Sequence, residues 1–161
     1  MEGHLGFLDG YCVFPVYNDQ QQVVDIVVRS ASTKSTTRYV VAPVSVSGLR
    51  PLYCPSWKQL KESSVVYVVF GIIDSIALHL AGLSSISGIT GKSLNVELLR
   101  PLNKRLIIIP DKGEEREAHI LANKIGWKAK VKELDFPEFT KDTDDIRRTF
   151  GNEYLLQSIG V

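Results

Sequence analysis

Four aspartates stand where this chain could do chemistry. Asp74 follows the apolar run Val65–Val69 across Phe70-Gly71-Ile72-Ile73, and Asp111 follows Leu106–Ile109 and Pro110. Asp142 and Asp144 lie in Lys141-Asp142-Thr143-Asp144-Asp145. Short β-branched runs that stop at glycine or proline read as buried parallel strands, and in parallel sheets the working groups collect just beyond the carboxyl ends of the strands. Carboxylates gathered at one edge repel each other unless a cation sits between them, and hard oxygen donors suit Mg²⁺, which keeps several waters. The expected metal ligands are therefore Asp111, Asp142 and Asp144. A plainer reading makes Asp142 and Asp144 a helix cap and a solvated acidic face. Asp74 reads equally as a cap for the helix that follows it and as a support behind the ligands.

These groups need elements to hold them. Helical stretches separate and follow the two apolar runs, so the order is strand–helix–strand–helix, the pattern of a parallel sheet covered by helices. After Asp74, Ile73, Ala77 and Leu80 share one helical face, and Ala81-Gly82 ends the helix. Leu83–Ile89 reads as a second, serine-interrupted strand. After Asp111, Ala118, Leu121, Ala122 and Ile125 form an apolar stripe, with acidic residues in the first turn, Lys124 in the last and Gly126 as the stop. Lys128, Lys130 and Lys132 alternate, which is the usual protection of an edge strand rather than a nucleic-acid contact. Asp142 or Thr143 should cap a short helix ending near Gly151, followed by a last helix over Asn152–Ile159. Gly88-Ile89-Thr90-Gly91-Lys92-Ser93 is not a phosphate-cradling P-loop, because its glycines are too close together.

The first third is different. Residues 1–10 read as a lead-in. Tyr11–Tyr17 and Val23–Arg29 flank the turn residues Asn18-Asp19-Gln20 and predict a hairpin, with Pro15 marking an edge or bulged strand. Ser30–Thr37 reads as a loop, Arg38–Ala42 as a third strand, and Pro43–Ser56, with three prolines and a glycine, as a linker. Trp57–Ser63 reads as a helix. This divides the chain into a small β-rich unit over 1–56 and an α/β unit over 57–161.

At 161 residues, 44% hydrophobic and 23% charged, the composition is that of a soluble globular protein of one domain or a domain with a small subdomain. No apolar run approaches a membrane span and the start lacks a signal-peptide pattern, so the expected compartment is the cytoplasm. Cys12 and Cys54 form no pair at zinc-ligand spacing, and read as buried thiols. The net charge of +1 hides a segregation. Between Ile26 and Leu60 there is no carboxylate, while Arg29, Lys34, Arg38, Arg50 and Lys58 are basic. Tyr39, Tyr53 and Trp57 are interleaved with them, as in surfaces that stack unpaired bases. Carboxylates dominate 111–117 and 133–145. One part is suited to phosphates and the other to a metal.

Phe70-Gly71-Ile72-Ile73-Asp74, Asp111-Lys112-Gly113 and Lys141-Asp142-Thr143-Asp144 resemble, in order and spacing, the three motifs of the Toprim domain of bacterial-type (DnaG-like) DNA primases. Those motifs are Glu-Gly-x-x-Asp, Asp-x-Asp and Lys-Asp-Pro-Asp. The N-terminal part is similar to the small subdomain ahead of that core, with Val13-Phe14-Pro15-Val16, Val28-Arg29 and Arg38-Tyr39 in the matching places, and Leu52-Tyr53 opening the link. The resemblance covers about residues 10–160. It implies a Toprim-type, mostly parallel sheet flanked by helices, preceded by a small β-rich subdomain, and a Mg²⁺ site at the strand ends.

It also marks two departures. Phe70 stands in place of the glutamate assigned the acid/base or metal-positioning role, and Gly113 in place of the second metal-binding aspartate. Two-metal nucleotidyl transfer needs both kinds of group. The expected function is that of a degenerate primase-like protein, binding single-stranded DNA or RNA as a virus- or plasmid-encoded accessory in DNA replication, with weak or no catalysis and at most one weakly held Mg²⁺. Its nucleic-acid contacts would be Arg29, Lys34, Arg38, Tyr39 and Lys92, and its partners a helicase or a separate zinc-binding primase domain. The alternatives are a divergent Mg²⁺-dependent primase or nuclease using Asp74, Glu114, Glu115 or a partner chain, and a non-catalytic interaction scaffold.

Overall fold

Two sheets carry the chain. The computed structural model describes residues 6–8, 10–30, 39–43, 51–89 and 94–161. The first sheet is antiparallel, in the order β1 (Gly6–Leu8), β2 (Tyr11–Tyr17), β3 (Val23–Ser30) and β4 (Tyr39–Pro43). The expected β2–β3 hairpin is present, closed by Asn18, whose Oδ1 accepts from the amides of Gln20 and Gln22 at 3.0 and 2.9 Å. Pro15 lies beyond Val13, where β1 stops pairing, and the register of β2 slips between Val16 and Tyr17. Among the described residues Pro15 pairs with Ile26 of β3 alone, an edge-like setting in which a missing N–H is tolerated. The short β1 lies in what the sequence suggests is a lead-in, since three residues carry too little periodicity to read.

The second sheet runs β5 (Leu52–Tyr53), β7 (Ser85–Gly88), β6 (Val65–Val69), β8 (Arg105–Ile108) and β9 (Ala129–Val131), with β5 antiparallel and the other four parallel. This is the Toprim-type sheet of the expected α/β fold. Leu52 and Tyr53, placed in the linker by the surrounding prolines, pair with Gly88 and Ser87 as an edge strand. Two residues are too few to show a strand pattern against that background.

Alternation along the central strands splits the core. Val66 and Val68 of β6 and Leu106 and Ile108 of β8 face one side, and pack on α1 (Trp57–Glu62), α3 (Val96–Leu99) and α4 (Glu115–Ile125). Tyr67, Val69 and Ile109 face the other, and pack on α2 (Ile72–Leu80) and α5 (Thr143–Ile159). The stripe read for α4 is buried as expected. That for α2 holds in part: Ala77 is buried as expected, but Ile72, Ser75 and Leu78 are buried with it while Leu80 is 52% exposed. A nine-residue helix lying between the two sheets buries flanks that a single stripe does not capture. α5 continues through Gly151 with a break in its helical backbone there, so the two expected helices meet at the expected residue.

The sheets share a third cluster, in which Phe14, Val16 and Val27 of the first meet Ile72 and Ile89 of the second. Trp57 Nε1 donates to the Tyr17 carbonyl at 2.7 Å, and Lys61 Nζ to that of Asp19 at 3.0 Å. These contacts seat the hairpin against α1. No helix among the described residues is long and apolar enough to cross a membrane.

Candidate functional site

Beyond the carboxyl ends of β6 and β8 lies a cavity of about 360 Å³. Asp74, Asp111, Glu114, Asp142, Asp144 and Asp145 line it, facing Lys141, Arg148 and Arg29. Phe70, Gly71 and Ile72 lie along its wall. The strand-end placement read from the sequence therefore holds for every aspartate singled out. Arg29 arrives from the other sheet, at the end of β3, so both sheets contribute to one pocket.

Asp74 is buried, 7% exposed, on the first turn of α2. It caps no helix of its own. The N-cap of α2 is Gly71, without a side-chain bond, and Asp74 Oδ1 instead accepts from Thr143 Oγ1 at 3.0 Å and from the Asp144 amide at 3.2 Å. It thus holds the start of α5 and supports Asp142 and Asp144 from behind. Asp142 is the N-cap of α5, accepting from the Asp145 amide at 2.8 Å. Asp144 Oδ1 accepts from Arg147 at 3.2 Å, and its Oδ2 lies 3.8 Å from Arg148. Asp111 makes no hydrogen bond or ion pair through its carboxylate among the described residues.

Crowding of like charge in a sheltered place has its usual electrostatic result. Burial first, and then Asp74, Glu114 and Asp142, push the Asp111 carboxyl up to about 8. Burial and Asp142 push Asp74 up to about 7, and burial raises Asp142 as well. Even so, no three His, Cys, Asp or Glu side chains among the described residues close on one point as metal ligands do.

The two departures from the primase motifs have distinct surroundings. Phe70 is 3% exposed and packs with Val68, Leu94 and their neighbours in the larger apolar cluster. Gly113 lies outside the lining of the cavity, at φ +86°. The two positions do not share one lining: the turn after Asp111 leaves Gly113 exposed and returns to the cavity at Glu114. Glu115 is turned away too, its Oε1 accepting from the Gly113 amide at 2.8 Å. Of the two glutamates considered as substitutes, Glu114 alone lines the pocket. Arg29 lines it as well, while Tyr39 lies on β4. Lys34, Arg38, Lys92 and the side chain of Tyr39 lie outside what the structure describes. Sequence reasoning passed over Arg148 and read Thr143 only as a possible cap; the i, i+3 and i+4 spacing of Asp144, Arg147 and Arg148 on a capped helix was the available signal.

No protein-family model and no curated protein matches the sequence. Among solved structures, the zinc-binding and RNA polymerase domains of the Aquifex aeolicus primase superpose with a TM-score of 0.73 at 18% identity, over 93% of this chain and 40% of that one. The RNA polymerase domain of Mycobacterium tuberculosis primase DnaG gives 0.73 at 19%, over 98% and 59%. A DnaG primase catalytic domain bound to single-stranded DNA gives 0.69 at 17%, over 93% and 51%. The fold is thus that of the primase catalytic core, and the chain spans about half the length of these structures.

Proposed function

We propose that this protein is a primase-like binding module that holds single-stranded nucleic acid, as an accessory in DNA replication, with a cavity weakened for catalysis. The observation that carries the reading is the meeting of Arg29, from the carboxylate-free basic segment, with six carboxylates at the strand ends. A phosphate held at Arg29 would lie beside the acidic groups, the juxtaposition that metal-assisted phosphate chemistry uses. The similar fold of a primase domain solved with single-stranded DNA supports the same reading.

Oxygen donors alone suit one hydrated Mg²⁺. Asp111 has the least committed carboxylate, and Asp142 keeps an oxygen beyond its capping bond. Asp144 adds charge from its pair with the arginines. Bound there, the ion would polarise a phosphate oxygen. A second ion lacks ligands: Phe70 offers none, and Gly113 none either. Asp74 positions Asp142 and Asp144 through α5, and Arg29 orients the phosphate.

Anisotropy of a labelled single strand, titrated across salt, tests the module. Replacing Arg29 and Arg38 with Ala should flatten the salt slope by about 1.4, two phosphate contacts at about 0.7 each. Unchanged affinity and slope would remove the reading. The second reading, a divergent enzyme, rests on Glu114 in the cavity. Primer synthesis or nuclease turnover by the unmodified chain that is lost in Asp111→Asn and Glu114→Gln would establish it. A scaffold would show neither binding nor turnover.

A further inference from the structure

The opposite end of the sheet carries a second surface. Parallel strands β6, β8 and β9 begin there, and the segments entering them border a shallow hollow of about 500 Å³. Trp127, which joins α4 to β9, is 94% exposed. An indole ordinarily buries most of its area, and one left open at a rigid junction of helix and strand is available to a flat partner. Around it stand Lys104, Arg105, Lys128 and Lys130, against the single carboxylate of Glu62.

Two of these cations have structural duties. Lys104 Nζ donates to the Lys61 carbonyl, and Lys128 Nζ to the carbonyls of Leu99, Arg100 and Leu102, which close the end of α3. Arg105 and Lys130 are exposed and form no ion pair among the described residues. Lys130 sits opposite Ile107 in the ladder, and Arg105 is two residues before Ile107, so both project from one face.

We propose that Trp127, Arg105 and Lys130 form a second contact for single-stranded nucleic acid, remote from the acidic cavity. A base stacks on the open indole while Arg105 and Lys130 meet the flanking phosphates, the pairing of ring and cation that sequence-tolerant single-strand binders use. A tryptophan that anchors a protein partner sits among apolar neighbours in a packed pocket. This hollow is completed by Ser63, Ser64 and Asn103 instead. The contact is independent of the cavity reading, since the two lie at opposite ends of the strands.

Tryptophan emission reads it directly, because Trp57 is half-buried with its N–H bonded to Tyr17 and Trp127 is open. A short oligothymidylate at low salt should quench the emission. Trp127→Ala should abolish that quenching and weaken binding about tenfold, the loss of one stacked base. Arg105→Ala with Lys130→Ala should flatten the salt slope by about 1.4. Quenching should survive Arg29→Ala with Arg38→Ala, which separates this contact from the cavity. Trp127, Arg105 and Lys130 are exposed, and unchanged thermal unfolding verifies each variant. Emission that stays unmoved while the oligonucleotide binds would overturn the proposal, as would no binding at all. Equal quenching by polyglutamate would overturn it in favour of an acidic protein segment.

Discussion

Gly71 offers a sharp test of how the cavity is held together. Its φ of −113° and ψ of 144° are open to any residue, so only space excludes a side chain. A Cβ there would lie 2.4 Å from Asp74 Oδ2. Asp74 cannot simply swing aside, because its other oxygen holds Thr143 and the Asp144 amide. Losing both bonds should cost about 2–3 kcal/mol. Against this, Gly→Ala at a permissive backbone restricts the unfolded chain and contributes about 0.4–1 kcal/mol. Gly71→Ala should therefore destabilise by about 2 kcal/mol. In an Asp74→Ala background the obstruction is gone, and the same change should stabilise by about 0.5 kcal/mol. Urea unfolding of the four proteins, in chelator to exclude stray metal, measures the coupling. The hydrogen-exchange rate of the Asp144 amide should rise in Gly71→Ala. Equal costs of Gly71→Ala in both backgrounds would refute the account.

Phe70→Glu should destabilise the metal-free protein by about 3–5 kcal/mol, since it removes a buried ring and inserts a charge; Mg²⁺ recovering part of that loss in melting experiments would place the new carboxylate in the cavity. Gly113→Asp should add to it without coupling, because position 113 lies outside the lining, and strong non-additivity in metal affinity would contradict the geometry. Phe139 is 93% exposed at φ +67°, where a bulky side chain is strained, so Phe139→Asn should raise stability by about 0.5–1 kcal/mol in chemical denaturation. Burial holds His79 below its usual value, so its contribution is present above pH 6.5 and lost as pH falls through the lowered folded value; His79→Gln should flatten that part of the stability profile. Burial pushes the Cys54 thiol up to about 12, so a thiol reagent should modify the native protein at Cys12 well before Cys54.

Where the sequence was legible, the reason is periodicity or local chemistry. The runs at 65–69 and 106–109 announce strands because a sheet covered on both faces needs unbroken apolar residues. Asp142 announces a cap because its oxygen reaches an amide three residues ahead, a relation contained within one turn. The edge position of β9 follows from its alternating lysines, and the structure confirms it. β5 was illegible because two residues take their conformation from the partner strand, not from their own pattern.

The role of Asp74 was only half legible, as one of two equal readings, and for a deeper reason. Read along the chain, an aspartate in the first turn of a helix serves its own helix, and the dipole explains it fully. In the fold its oxygen faces the start of another helix, whose Thr143 and Asp144 lie 69 and 70 positions further on. Gly71 is what makes this possible, since a side chain there would occupy the space of the second oxygen. The glycine and the aspartate are therefore one device: the first makes room for the second, and the second fixes the acidic segment. The device does not depend on position 70, because neither hydrogen bond passes through Phe70. On the function proposed above, the chain keeps an arginine and a set of aspartates around one cavity, with no carboxylate at positions 70 and 113. If that function holds, binding and metal affinity respond to changes at Asp74 and Gly71 whether or not the protein turns over substrate.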